Sequence, residues 1–281
     1  MSNTKLIAIK KENKHIKKHT VKSNLPFYLV MGIVASTYII LILAMVLADV
    51  FYTTPKHIFK ALASTEIQYA IKLSLISSTI TMLLSVVVAI PIGYFMARFN
   101  FRFKKIIDAI IDIPIILPPL VVGLSLLLLF QTVLGQFIES HLRVTYTVYG
   151  VVLAQFMVAC AFAVRTMYVT FSQINNRQEQ VALTLGCNEK QSFFYILLPQ
   201  AKSGILTAAS LAWARALGEF GPILIFAGAT RMRTEVLPTT VFLEMSVGNI
   251  EAAVAVSLIM IASGFLVLLV VRLYGTKKNT I

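Results

Sequence analysis

The chain has 281 residues, 58% of them hydrophobic and only 13% charged, with a formal net charge of +13. Soluble domains carry about 25% charged residues because their surface faces water, so this composition excludes an ordinary soluble protein. The basic excess does not indicate nucleic acid either, because it lies at the ends and in short loops rather than as a stripe on a soluble domain.

Residues 1–26 form a basic tail, with the run KKENKHIKKH at 10–19. Such a tail suits anionic headgroups at a cytoplasmic membrane face, or simple solvation with no partner. A bilayer core about 30 Å thick needs roughly 20 apolar residues per helix. Six stretches qualify, at 27–50, 70–97, 110–134, 147–171, 205–227 and 250–273. The first starts too late, runs too long and lacks the small-residue cleavage site of a signal peptide. The expected fold class is all-α, a polytopic membrane protein with six transmembrane helices. Segment 27–69 holds the first helix and a loop, 70–273 the transmembrane core, and 274–281 a tail with Lys277 and Lys278.

The second stretch is long enough to tilt or to project beyond the bilayer. The third carries Pro114, Pro118 and Pro119, which bend or unwind its first turns. Between the spans, Arg98, Arg102, Lys104 and Lys105 crowd one loop, whereas 51–69, 135–146 and 228–249 are poorer in positive charge. Lysine and arginine concentrate on the cytoplasmic side, which places both termini inside.

The longest inner segment, 172–204, reads SQINNRQEQVALTLGCNEKQSFFYILLPQAKSG. A short helix over 178–185 would put Val181, Ala182 and Leu185 on one face. Gly186 breaks it, and Asn188 with Gln191 three residues later forms a capping-box pattern. An amphipathic turn with Phe193, Phe194, Ile196 and Leu197 then runs to Pro199. Apolar faces outside the bilayer fit a docking surface or a helix lying flat among headgroups.

The fifth stretch reads AWARALGEFGPILIFAG from Ala212 to Gly228. Arg215 and Glu219 stand at i, i+4, deep in the membrane, where an ionised group needs partners or water. They mark a translocation pathway or gate, or an internal ion pair that fixes packing. Gly218, Gly221 and Pro222 would break the helix there or let helices approach closely. Arg231 and Arg233 in the 228–249 loop are either outer contacts for an anion or an acidic partner, or plain surface charges. Arg165 and Lys72 sit near span ends and read as snorkelling side chains. Cys160 and Cys187 read as free thiols. The four histidines lack metal-ligand spacing, so no metal site and no catalytic constellation is expected.

The 172–204 loop resembles the EAA loop of membrane subunits of binding-protein-dependent ABC importers, whose pattern is E-A-A, three residues, G, nine residues, I-x-L-P. Here nine residues separate Gly186 from Ile196, Leu197, Leu198 and Pro199, while Gln180, Val181 and Ala182 stand in the first three places with the acid one earlier, at Glu179. The Arg-Ala-Leu-Gly-Glu-Phe-Gly run and the Leu-Pro-Pro-Leu-Val-Val-Gly run at 117–123 resemble the oxyanion branch, the permeases for molybdate, tungstate and sulfate. This resemblance implies a type I ABC importer permease, working as a homodimer with two ATP-binding subunits inside and an extracytoplasmic substrate-binding protein outside. It implies coupling to the ATPase through Glu179, Ala182, Leu185, Gly186, Phe193, Phe194, Ile196, Leu198 and Pro199. No G-x-x-x-x-G-K-[ST] stretch occurs, so ATP would be bound by the partner and no cofactor by this chain. Molybdate or tungstate is the expected cargo, with sulfate or another small anion as the alternative. An ion-coupled carrier or channel is the competing class, but it would show carboxylates deep in several spans.

Overall fold

The computed structural model describes residues 25–275, among which every regular element is helical. The basic run at 10–19 and the C-terminal lysines lie outside the described residues. The chain divides after Ala48 into two units.

In the first unit lies most of α1 (Leu25–Tyr52), apolar on every face as a helix in lipid must be. At 1.5 Å per residue its 28 residues reach about 42 Å, enough to cross a bilayer.

The second unit begins with the short amphipathic α2 (Pro55–Ala63), followed by α3 (Thr65–Arg98). The 34 residues of α3 span about 51 Å, longer than a hydrocarbon core. Its buried face is built from small residues: Ala70, Ser74, Ser77, Ser78, Thr81, Ser85, Ala89 and Gly93. Against that face pack α7 (Val148–Gln173) and α11 (Lys202–Leu217). Apolar side chains gain nothing from leaving lipid, so close backbone approach and dispersion must hold these helices together. A Cβ at Gly93 would lie 2.7 Å from Cβ of Met167, and one at Gly204 would collide with Thr170. Ala159, Ala163, Ala208, Ala212 and Ala216 complete the contact.

Two of the six expected spans are interrupted. The 110–134 stretch is split into α4 (Lys104–Ile116) and α5 (Pro119–Gln131), which meet at 112°. Pro114 is absorbed inside α4; the break falls at Leu117–Pro118, where both residues are extended. Consecutive prolines remove two donors and force the preceding residue out of the helical region. The 205–227 stretch is split into α11 and α12 (Gly221–Phe226), with Gly218 capping the first half. Among the described residues, four helices are individually long and apolar enough to cross a membrane: Phe27–Tyr52, Thr65–Arg98, Val148–Gln173 and Ile250–Leu269.

Segment 228–249 is more than a surface loop. Thr234, Glu235, Val236 and Leu237 are buried, and the Leu237 N–H donates to Ser74 Oγ at 2.7 Å. It continues into α13 (Leu237–Ser246), which packs on α14 (Ile250–Gly275). At the same end as this segment, α6 (Val133–His141) leads into a tight loop, where the Glu139 carboxylate accepts from the N–H groups of Val144 and Thr145 and from Thr145 Oγ1. Burial pushes the Glu139 carboxyl up, but these donors outweigh it and hold the group below its usual range.

Candidate functional site

The 172–204 loop folds as two short arms joined at a glycine. Arm one is α8 (Asn176–Thr184), capped by Asn175, whose side chain accepts from the Arg177 N–H. The chain then turns at Gly186, with φ +93°. Arm two starts with α9 (Glu189–Ser192). Here the expected capping box is present in full: Asn188 Oδ1 accepts from the Gln191 N–H at 2.8 Å, and Gln191 Oε1 from the Asn188 N–H at 2.9 Å. A π-helical turn follows over Phe193–Leu197, then α10 (Leu198–Gln200). Pro199 has no N–H to close an ordinary turn onto Tyr195, which favours the wider turn, and such turns recur at functional sites.

The loop has an inward and an outward face. Ala182 and Leu197 are buried, Ile196 and Leu198 half-buried. Phe193, expected to reach outward, turns in instead, with its ring centroid 4.9 Å from that of Tyr94 and 6.3 Å from that of Phe171. Leu185 is 80% exposed, Tyr195 75%, Phe194 58% and Val181 54%; Pro199 and Gly186 are exposed as well. Glu179 is satisfied inside the chain: Oε1 accepts from the Tyr94 hydroxyl at 2.7 Å, and Oε2 lies 3.2 Å from Arg98 Nε.

A second site lies where α11 stops. Arg215 Nη1 is 2.7 Å from Glu219 Oε2, and the Glu219 side chain is 1% exposed. Because α11 ends at Leu217, the pair bridges a broken helix rather than running along one face. Arg215 also lies over the Phe162 ring, 5.8 Å from its centroid. The carbonyl of Ala216, which takes the Glu219 N–H at 3.2 Å, also accepts from Gln155 Nε2 at 3.1 Å, and Thr81 Oγ1 donates to Gln155 Oε1 at 3.1 Å. Gly221 and Gly123 place α12 directly on α5: a Cβ on Gly221 would stand 2.9 Å from Pro119 and Leu120, and one on Gly123 2.8 Å from Pro222. The two runs that suggested the oxyanion branch are therefore in contact with each other.

An open groove of about 530 Å³ lies beside the 172–204 loop, between α7 and α11, and its lining on α11 runs no further than Thr207. Its polar lining includes Thr166, Thr170, Gln173, Gln200, Ser203 and Thr207. Thr207 and Arg215 fall on one stripe of α11, two turns apart. The hydroxyls of Thr166, Thr170 and Thr207 each donate to a carbonyl four residues back, so these three offer the groove only lone pairs, while the amides of Gln173 and Gln200 bring N–H donors to it. Arg165 at its edge does not snorkel to solvent. It pairs with Asp108 at 3.0 Å and with Asp112, tying α4 to α7.

The opposite end of α3 gathers a separate charge cluster. Arg231 pairs with Glu66 and with Glu244 at 2.8 Å, and Asn249 donates to Glu244 at 2.8 Å. Burial would lower the guanidinium pKa, but the two carboxylates raise it further. Burial pushes the fully enclosed Glu235 carboxyl up. Arg233 is exposed, with its carbonyl accepting from the Tyr69 hydroxyl at 3.0 Å. Of the two arginines, Arg233 alone presents itself outward.

Sequence reasoning missed Tyr94, Arg98, Asn176, Asp108, Asp112, Glu66 and Glu244 as partners. The charges were visible, but their pairing across tens of residues was not.

This arrangement of a polytopic helical core and a two-armed glycine-hinged loop defines a transport permease. Residues 89–279 match the family described as "Binding-protein-dependent transport system inner membrane component", and the chain belongs to that family. It is 31% identical to a probable transport system permease, NifC, of Clostridium pasteurianum, over 84% of each chain. It is 31% identical to a probable molybdenum ABC transporter permease of Haloferax volcanii, covering 88% of this chain and 89% of that one. Identity with the sulfate transport permease CysT of Salmonella typhimurium is 29%, over 71% and 73% of the two chains. A chain of the bacterial alginate ABC transporter, crystallised with its alginate-bound periplasmic protein, shares the fold at TM-score 0.71 and 16% identity, covering 92% of this chain and 96% of that one. The chain is thus a multi-pass membrane transport subunit, not itself a catalyst.

Proposed function

We propose that this chain forms the translocation pathway of an ATP-driven importer for a tetrahedral oxyanion, molybdate or tungstate, working as a homodimer. Two separate ATPase subunits dock on the 172–204 loops, and an extracytoplasmic binding protein delivers the anion at the opposite end. Both termini are cytoplasmic, because the end bearing the loop also carries Arg98, Arg102, Lys104 and Lys105. The observation that carries the reading is the outward set Val181, Leu185, Phe194 and Tyr195, held on a capped and hinged scaffold beyond the spans. Such a set fits a groove on a partner, as an amphipathic helix does. The names of the Haloferax and Clostridium relatives place the chain in a transport family, and the former supports molybdenum oxyanions. The Salmonella relative keeps sulfate as the alternative cargo.

Cargo is handled weakly by this chain, with selection left to the binding protein. Glu219 pairs with Arg215 at the end of α11 and so keeps that charge from trapping the anion.

Replacing the most exposed of these four loop residues by a charge tests the docking assignment: in Leu185→Asp, copurification of the ATPase from detergent should fall at least tenfold while the chain inserts normally. Burying that carboxylate in an apolar groove costs several kcal/mol, on the order of the whole contribution of one anchor side chain. Undiminished copurification would remove Leu185 from the interface.

A further inference from the structure

We infer that Arg98, Glu179 and Tyr94 form the joint through which displacement of the 172–204 loop is passed into α3 and α7, with Glu179 as a positioning residue of the coupling element. This rests on the coupling reading above and goes beyond it by assigning the transmission to particular groups.

Both oxygens of Glu179 are taken by its own chain, one by the Tyr94 hydroxyl and one by Arg98. The acid is therefore not free to address a partner. Its side chain is 17% exposed and that of Arg98 only 7%, so the pair is shielded from salt and water. Arg98 is further fixed by donating through Nη1 to the Phe171 carbonyl at 3.1 Å, and to Asn176 Oδ1. One guanidinium, carried by the last residue of α3, thus binds the end of α7 and the first arm of the loop.

The second arm is joined at the same place. Phe193 from the π turn packs its ring against Tyr94, which also stands 5.7 Å from the Phe171 ring. A pull on either arm is transmitted to Tyr94 and Arg98, one turn apart on α3. From there it travels along the small-residue contact of α3 with α7 and α11, where the backbones approach closely, as at Gly93 against Met167. The α11 helix ends in the Arg215–Glu219 pair. The joint accordingly connects the docking face to the gate through packed elements alone.

The test uses the complete complex, with its ATPase and binding protein, in proteoliposomes, and reads molybdate taken up per ATP hydrolysed. Glu179→Gln removes the charge while keeping the shape and the acceptor for Tyr94. Its uptake per ATP is expected to fall about tenfold, because the ATPase still cycles while the loop moves without carrying α3. Glu179→Asp keeps the charge, and its ratio should stay within threefold of the unmodified complex. A merely structural role would lower uptake and hydrolysis together and leave the ratio unchanged, and that result overturns the joint, as does Asp behaving no better than Gln. Failure of the unmodified complex to couple uptake to ATP at all would overturn the coupling reading itself.

Discussion

Gly186→Val is expected to reduce transport at least a hundredfold while leaving membrane insertion at the unmodified level. Gly186 has φ +93°, a backbone conformation in which an L side chain is strained by at least 1–2 kcal/mol and a β-branched one by more. A Cβ there would meet nothing within 4 Å, so the effect has no packing component. The chain would relieve the strain by leaving the left-handed region, which swings Asn188–Pro199 away from α8. Leu185 and Phe194 would then no longer share one face, and a small local cost becomes a large displacement of the docking surface. Insertion is set by the spans, not by this turn, and should persist. Gly186→Asn offers an internal control, since asparagine visits left-handed conformations more readily, and it should keep an intermediate rate. Uptake measured beside membrane abundance separates these outcomes. A valine variant that transports normally would show that the hinge plays no part.

The second large effect is expected at the contact between α5 and α12. Gly221→Val places a Cβ 2.9 Å from Pro119 Cβ and from the Leu120 backbone nitrogen. The atoms in the way are backbone and proline ring, which cannot rotate aside. Overpacking of this kind costs about 1–3 kcal/mol, and more when backbone must move. Separating α5 from α12 would also shift Phe220 and Glu219, which precede Gly221, and so misplace Arg215. The variant should show a lowered melting temperature in detergent and lose transport at least tenfold. Gly218→Ala, whose Cβ would lie 3.7 Å from the Ala214 carbonyl oxygen in ordinary contact, should be milder on both measures. Equal behaviour of the two would mean that close approach at Gly221 is not what holds the break in place.

Local features were legible from sequence because the residues that make them are neighbours. The Asn188–Gln191 box needs only three residues, and the interruption at Gly218–Pro222 is announced by small residues and a proline beside each other. The turn at Gly186 belongs to the same group. The position of the sharp bend was harder. Three prolines were visible, but a single one at Pro114 costs a helix one hydrogen bond and is accommodated, while the pair at Pro118 and Pro119 is not. Long-range pairing was not legible. Arg98 looked like one more flanking charge and Arg165 like a snorkelling one, because span periodicity says nothing about which carboxylate 53 or 81 residues away will meet them. Phe193 and Phe194 were equally ambiguous: adjacent aromatics on a π turn point apart, and only the packing of Tyr94 and Phe171 decides which one turns inward.

The central claim is that the pathway is driven from outside this chain, by an ATPase acting on the 172–204 loop. The most direct test is uptake of labelled molybdate into proteoliposomes holding the chain, its ATPase and its binding protein, with and without ATP and with proton and sodium gradients collapsed. Uptake should require ATP and binding protein, survive the loss of both gradients, and be competed by tungstate in preference to sulfate. Uptake that proceeds without ATP and stops when the gradients collapse would contradict the account.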